Sequence, residues 1–313
     1  MTNINRIGLF LALKQMENEY MTKSLCILLT IVFVIFKTCC AEIIKTSDLD
    51  VIKGQLEQAD DETLVIFDVD DVLLHPCDKI LKMQNKKYLE ETIQTELAKK
   101  FTQEQTRIIY SIIFQQRKNV PVDAKLVGLI SDLQAKGIRV LALTNCFTGK
   151  WGLIDSMEDW RINELSRNGY NFAKSWGEVG PKIFDGLSKS GKGLSAKITS
   201  LATFKNGVVF SSGVNKGEAL KAFLVYAKFM PKKIIFIDDK LKYLESVEKL
   251  ASELKLPFVG VEYTAVADTV IEPLNKTRAY FQFAVLEKEH KWLSDAEADQ
   301  RMEILSNNGS REY

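Results

Sequence analysis

Three carboxylates interrupt an apolar run near residue 70. Asp68, Asp70 and Asp71 directly follow Leu64–Phe67, and the sequence becomes apolar again from Val72. Closely spaced carboxylates repel one another and raise each other's pKa unless a cation neutralises them. A strand that served only stability has no reason to end in this way. We therefore expect the cluster to bind a metal ion.

Three further groups of polar residues stand just after predicted strands. Open parallel sheets place their ligand crevice at the carboxyl ends of the strands, in the loops that follow them. We therefore expect these groups to meet Asp68 and Asp70 in one crevice. In chain order they are Thr144–Asn145, Lys216 and Asp238–Asp239.

This series resembles the four motifs of the haloacid dehalogenase (HAD) superfamily, over about residues 64–261. It is also similar to an exported bacterial HAD-like group called domain of unknown function 2608, a name that brings no substrate. The stretches that carry this closer resemblance are Asp-Val-Asp-Asp-Val-Leu-Leu, Asn-Lys-Gly-Glu-Ala-Leu-Lys-Ala-Phe and Phe-Ile-Asp-Asp-Lys. The fourth motif departs from the common HAD pattern, because it lacks the preceding Gly and a further downstream Asp.

The resemblance implies a role for each motif residue. Asp68 is the expected nucleophile, which forms an aspartyl-phosphate, and Asp70 is the expected general acid and base. Thr144 and the backbone N–H of Asn145 are expected to hold the transferring phosphoryl oxygens. Lys216 is expected to neutralise charge on the nucleophile and the phosphate.

The resemblance also implies a magnesium site. An all-oxygen set of ligands suits Mg²⁺, which prefers carboxylates, carbonyls and waters in an octahedron. The expected ligands are Asp68, Asp70 through its backbone carbonyl, Asp239 and Asp238.

We expect a Mg²⁺-dependent phosphatase that hydrolyses a small phosphomonoester. Two alternatives use the same residues: a non-catalytic exported HAD-like binding protein whose acids only hold a cation, and a phosphotransferase with an acceptor other than water. Each motif alone also has an ordinary explanation, such as a solvated turn, a strand-end hydroxyl, a surface lysine or a helix N-cap. Their order along the chain favours a single site.

Strands alternate with helices along most of the sequence. This alternation predicts an α/β fold with a three-layer, doubly wound, mostly parallel sheet. A helical insertion after the first motif predicts a cap over the site. The predicted parts are a core of 42–74 and 122–272, which includes a less defined insertion at 145–207, a cap at 75–121 and a helical tail at 273–313.

Local signals set several boundaries. Ser47 is predicted to cap the first helix, Pro121 to open a later one, and Gly137 to end it. The turn Lys205–Gly207 joins two predicted strands, and the Gly- and Ser-rich segment Gly186–Ser195 is predicted to be a loop.

The N-terminal region carries an export signal. Leu25–Phe36 is apolar except for Thr30 and follows Lys23. At about a dozen residues it is shorter than the roughly 20 that span a bilayer, but it suits a secretory signal cleaved after Ala41. We predict that 1–41 comprises an extension and a signal peptide, and that the protein is periplasmic or secreted with no stable membrane span after cleavage. An N-terminal membrane anchor is the alternative.

Composition limits the class of partner. The 42 basic and 41 acidic residues give no indication of nucleic-acid binding, and a small phosphorylated substrate fits better. Outside the signal only Cys77 and Cys146 remain, and neither lies in a Cys-x-x-Cys pair. Because the two cysteines follow strands that are expected to be neighbours, they are expected either to form a disulfide or to remain two separate thiols. The sequence gives no indication of the oligomeric state.

Overall fold

The computed structural model of the protein describes residues 41–188 and 200–307. The predicted signal segment and most of the predicted loop at 186–195 lie outside these residues. In chain order the strands are β1 (Ala41–Thr46), β2 (Thr63–Phe67), β3 (Leu74–Pro76), β4 (Asn119–Pro121), β5 (Arg139–Thr144), β6 (Lys182–Phe184), β7 (Ala202–Lys205), β8 (Val208–Phe210), β9 (Lys233–Asp238) and β10 (Phe258–Tyr263).

The helices alternate with these strands. Short 3₁₀ turns lie at Lys79–Leu81, Met83–Asn85 and Phe172–Ser175. The helix at 86–100, which we call α2, is π-helical at Leu89–Gln94. In chain order the α-helices are α1 (Leu49–Leu56), α2 (86–100), α3 (Gln103–Gln116), α4 (Lys125–Ala135), α5 (Met157–Arg167), α6 (Lys216–Ala227), α7 (Leu241–Glu253), α8 (Ala265–Asp268), α9 (Lys276–Glu289) and α10 (Asp295–Asn307).

Eight strands form one sheet in the order β1-β10-β9-β2-β5-β8-β7-β6. The pairs from β1 across to β8 are parallel, and β7 and β6 continue the sheet in antiparallel fashion. β2 lies centrally between β9 and β5, and all five of its residues are buried because both faces of the sheet are covered. The predicted α/β class with a mostly parallel sheet is confirmed.

The sheet has a hydrophobic core on each face. Val65 and Phe67 of β2 belong to the core that includes residues of α1, α4 and α5. Leu64 and Ile66 belong to the opposite core, which includes residues of α6 and α7. This alternation is the two-residue period of a strand, and it produces the predicted three layers.

A further hydrophobic cluster lies apart from the sheet. It joins α2 and α3 to α9 and Trp292, so the C-terminal region packs against the insertion that follows β3. We call residues 79–116 and 276–307 the helical subdomain. The buried carboxylate of Asp78 ties the two segments together, because it accepts hydrogen bonds from Trp292 Nε1 at 2.8 Å and from the backbone N–H of Asp295 at 3.0 Å.

Some local predictions are confirmed. Gly137 follows α4 with φ +80°, as expected of a helix C-terminus. Asn206 and Gly207 both have positive φ, which is the geometry of a type I′ hairpin turn between β7 and β8. β8 then pairs with β5, so this hairpin leads into the parallel part of the sheet.

Two predicted boundaries are wrong. Asp48, rather than Ser47, caps α1, because its side chain accepts from the backbone N–H of Asp50. Pro121 does not open a helix, since it pairs with Leu74 at the end of the small β3–β4 ladder and α4 starts four residues later. Strands β1, β3, β4 and β6 were not predicted. In the described parts of the chain, no helix has both the length and the apolar character that a membrane span requires.

Candidate functional site

The carboxyl ends of β2 and β9 bring three predicted acids together. Asp68 follows β2 and donates its backbone N–H to Ile237 of β9, which places it beside Asp238 and Asp239. One carboxylate oxygen from each acid lies within 4.8 Å of the others. Their side chains are only 6%, 0% and 4% exposed, respectively. Carboxylates buried so close together need cations to remain ionised.

Lys216 supplies one of these cations. Its Nζ lies 2.8 Å from Asp68 Oδ1 and 2.6 Å from Asp238 Oδ2, and its side chain is completely buried. The ammonium also lies 4.4 Å from the centre of the Tyr243 ring, within cation–π range. Burial alone would lower the pKa of Lys216, but Asp238 and Asp68 outweigh burial and raise the pKa. Lys216 is therefore charged.

The two acids that Lys216 contacts have raised pKa values. Burial is the largest cause for both Asp68 and Asp238, and Lys216 opposes it. Neighbouring carboxylates raise both values further, with Asp239 acting on each. A further cation would stabilise the ionised form of both acids.

Asp238 and Asp239 have different surroundings. Both oxygens of Asp238 are engaged, one by Lys216 and the other by the backbone N–H of Lys240 at 2.9 Å. Asp239 Oδ2 is buried and accepts no hydrogen bond, although Lys240 Nζ lies 2.9 Å away. Asp239 therefore has the better-placed oxygen for a cation.

The charge balance also fits a divalent cation. Five carboxylates lie at and after the ends of β2 and β9, and three cations contact all of them except Asp71, so the carboxylates outnumber these cations by two; Arg117 offsets the adjacent Glu164. An all-oxygen donor set of this kind suits Mg²⁺. The carboxylates are Asp68, Asp70, Asp71, Asp238 and Asp239, and the cations are Lys216, Lys240 and Arg161.

The carboxylate of Asp70 lies outside the three-acid cluster of the described residues. Its side chain is 47% exposed, and both of its oxygens contact Arg161 Nη2, at 2.9 and 3.1 Å. Burial tends to raise the pKa of Asp70, but Arg161, Arg117 and Lys240 outweigh burial and lower the pKa. Arg161 therefore favours the ionised form of Asp70, and the Asp70 carboxylate lies apart from those of Asp68, Asp238 and Asp239.

Asp71 forms the turn that follows. Its φ is +63°, and its backbone N–H donates to Leu74 O at 2.8 Å. Burial, followed by repulsion from Asp70 and Asp239, raises the pKa of Asp71 to about 7. Asp71 thus shapes the loop that presents Asp70.

Thr144 ends β5, the strand next to β2, and Asn145 follows it. Thr144 is fully buried, and its Oγ1 accepts from the backbone N–H of Cys146 at 3.2 Å. Asn145 Oδ1 accepts from Ser211 Oγ at 3.0 Å and from the backbone N–H of Gly213 at 2.8 Å. These bonds tie the loop after β5 to the loop after β8, which precedes Lys216.

Sequence reasoning missed the residues of α5 and α7. Arg161 and Glu164 are buried on α5, and Tyr243 of α7 contacts both Lys216 and Asn145 Nδ2, the latter at 3.3 Å. A signal was present on α5, because Met157, Trp160, Arg161, Glu164 and Leu165 follow the spacing of one buried helix face. Two charged residues on such a face indicate a buried ion pair.

Cys77 and Cys146 are both free thiols. β2 and β5 are neighbours, as expected, but Cys77 directly follows β3 rather than β2, and no bond joins its sulfur to that of Cys146. Of the two alternatives predicted from the sequence, a disulfide or two separate thiols, the second is confirmed.

Comparisons with known proteins connect the chain to one family. A family model described as protein of unknown function (DUF2608) matches residues 45–299. An uncharacterized protein of Rickettsia prowazekii (strain Madrid E) is 26% identical over 225 residues, covering 71% of this chain and 78% of that protein. A second, from Rickettsia bellii (strain RML369-C), is 26% identical over 252 residues, covering 77% and 82%.

A shorter match comes from Chlamydia muridarum (strain MoPn / Nigg). That protein is named as a candidate outer membrane protein and is 28% identical over 97 residues, which cover 30% of this chain and 37% of that protein. No solved structure gives a significant match.

Proposed function

The chain belongs to the family of proteins of unknown function (DUF2608), and for this member we propose a magnesium-dependent phosphatase of the HAD superfamily. Its proposed substrate is a small phosphomonoester. The observation that carries the proposal is the buried contact of Asp68 with Lys216, beside Asp238 and Asp239 at neighbouring strand ends. In this proposal the helical subdomain is the cap of the site.

The proposed reaction has two steps. Asp68 attacks phosphorus, the bond from phosphorus to the leaving oxygen breaks, and Asp70, which enters this step in its protonated form, gives that proton to the leaving oxygen. Asp70 then takes a proton from water, and the water oxygen attacks phosphorus and displaces Asp68, which releases inorganic phosphate. Lys216 neutralises charge on Asp68 throughout, and Thr144 with the backbone N–H of Asn145 holds the phosphoryl oxygens.

A bound Mg²⁺ would screen the phosphate charge and favour the ionised nucleophile. Asp68 and Asp239 would hold it together with the backbone carbonyl of Asp70. Asp238 is assigned instead to Lys216, because both of its oxygens already accept hydrogen bonds.

A non-catalytic binding protein is the second candidate. The contact between Arg161 and Asp70 favours it, because an ionised carboxylate that is paired with a guanidinium is a poor proton donor. A phosphotransferase would use the same residues as the phosphatase and would differ only in the acceptor.

We also propose a location in the cell envelope or outside the cell. The name of the chlamydial relative supports an envelope location, and the apolar segment at 25–36 supports export. A signal peptide with periplasmic or secreted product is favoured over an N-terminal anchor because the segment is short.

Replacement of Asp68 tests the enzyme proposal. With Mg²⁺ and p-nitrophenyl phosphate, Asp68→Asn should lower kcat by at least about 10³-fold, because the amide keeps the shape but is not a nucleophile. The circular dichroism spectrum should not change. Asp71→Asn is the matched control, since it makes the same chemical change in the same loop at a φ that Asn adopts.

The control should keep activity within about threefold of wild type. Equal turnover by wild type and Asp68→Asn would refute the proposed nucleophile. Absence of turnover in wild type, across aryl and alkyl phosphates with Mg²⁺, would favour the binding protein.

A further inference from the structure

Arg161 makes a buried, multiple contact with Asp70. The side chain of Arg161 is 5% exposed, and its Nη2 contacts both Asp70 oxygens. Its Nη1 donates to Glu164 Oε2 at 2.6 Å, and the guanidinium carbon lies 4.8 Å from the centre of the Trp160 ring. Asp70, Glu164 and the Trp160 ring therefore all contact the Arg161 guanidinium, and the guanidinium in turn fixes the Asp70 carboxylate.

Glu164 is itself fixed by groups from another part of the fold. Its Oε1 accepts a hydrogen bond from Asn119 Nδ2 at 2.9 Å, and Arg117 Nη2 lies 3.8 Å from the same oxygen. Asn119 begins β4, and Arg117 follows α3 directly. The connection thus runs from the base of the helical subdomain, through α5, to Asp70.

The geometry explains why an arginine stands at this position. A planar guanidinium can engage two carboxylates at once with fixed directions, whereas a lysine ammonium is a single point of charge on a flexible chain. The loop of Asp70 alone does not direct its carboxylate, since that side chain is half exposed. The direction of the Asp70 carboxylate is therefore set by α5.

We propose that Arg161 is a positioning residue for Asp70. Arg161 holds the half-exposed carboxylate in one direction, so that the protonated form of Asp70 can give its proton to a leaving oxygen and the ionised form can then take a proton from water. The same contact keeps the carboxylate of Asp70 out of the Asp68, Asp238 and Asp239 cluster. This inference rests on the proposed phosphatase function, in which Asp70 is the acid and base.

A double-mutant cycle tests the inference. With p-nitrophenyl phosphate and Mg²⁺, Arg161→Met should lower kcat about 10- to 100-fold and change KM less than threefold, as expected for a misdirected catalytic group. In an Asp70→Asn background, Arg161→Met should change the remaining rate less than twofold, because Arg161 acts through Asp70. Arg161→Lys, which keeps the charge, should restore part of the rate.

Arg167→Met is the matched control, because Arg167 is an exposed arginine on the same helix and does not contact Asp70. It should behave as wild type. If the fold-losses in kcat of Arg161→Met and Asp70→Asn multiply in the double variant, Arg161 has a general structural role and the inference is overturned. An unchanged kcat in Arg161→Met would also overturn it.

Crystal structures decide the same question without turnover. The Asp70 carboxylate should leave its position in Arg161→Met and keep it in Arg161→Lys. An unmoved Asp70 in Arg161→Met overturns the positioning role. If wild type hydrolyses no phosphate ester, the proposed function fails by itself, and these structures still decide whether Arg161 directs Asp70.

Discussion

Gly217 links the packing of two helices to the position of Lys216. It is the second residue of α6, directly after Lys216, and a Cβ at this position would lie 2.2 Å from the backbone oxygen of Ser246 on α7. Ordinary contacts between such atoms exceed 3 Å, so the helices must separate by roughly 1 Å to accept an alanine. Because the obstacle is backbone, no side-chain rotation relieves it.

Gly217→Ala should therefore destabilise the protein. Alanine gains up to about 1 kcal/mol of helix propensity, whereas overpacking costs about 1–3 kcal/mol, and a backbone obstacle places the cost at the upper end. We expect a net loss of about 1–2 kcal/mol, which lowers Tm by roughly 2–4 °C in a chain of this size. The displacement of Lys216 should also reduce phosphatase activity.

Gly128→Ala provides the matched control. Gly128 lies within α4, and a Cβ there would meet no atom within 4 Å. This variant should gain about 0.5–1 kcal/mol from helix propensity and melt above wild type. Thermal melts followed by circular dichroism in one buffer compare the three proteins. A Gly217→Ala variant as stable as Gly128→Ala would refute the close approach of α6 and α7.

Two further predictions concern the crevice. Mg²⁺ at 100 times its Kd should raise the free energy of unfolding by about 2.7 kcal/mol, which is measured as a higher Tm. Asp239→Asn should abolish most of this increase. A wild-type Tm that does not change when Mg²⁺ is added would contradict the metal site. Burial raises the pKa of the Cys146 thiol to about 11, so iodoacetamide should label the exposed Cys77 much faster at pH 8. The Cys146 rate should rise about tenfold per pH unit between 8 and 10 as thiolate forms. Equal labelling rates for the two cysteines at pH 8 would contradict the burial of the Cys146 thiol. A disulfide detected by non-reducing mass spectrometry would contradict the two free thiols.

The sequence predicts the central elements because their signals are local. β2 (Thr63–Phe67) contains the apolar run Leu64–Phe67 and ends where the acids begin, at Asp68. The edge strands β1 and β6 have no such signal, because they are short, partly exposed and defined by the strand with which each pairs. Pro121 was misassigned for the same reason, since its ladder partner Leu74 lies far away in sequence.

The residues of the candidate site also fall into those that the sequence predicts and those that it does not. Residues at strand ends, such as Asp68 and Lys216, could be grouped because topology places all parallel strand ends at one edge. Arg161 could not be joined to Asp70, because a charged helical residue is ordinarily solvated and the contact depends on how α5 docks. Nor does any sequence pattern show that the Lys216 side chain is completely buried.

The helical subdomain has a consequence for how the chain folds. Its hydrophobic cluster joins residues 80–113 to residues 279–292, and six of the eight strands of the central sheet lie between them in sequence. Neither segment can complete this cluster early, because closing so long a loop costs entropy that few contacts repay. Once β2, β9 and β10 have paired, the two segments are brought close together and closure becomes inexpensive. We therefore expect the subdomain to assemble after the sheet, because α2 and α3 can complete their hydrophobic cluster only once residues 279–292 have been synthesised.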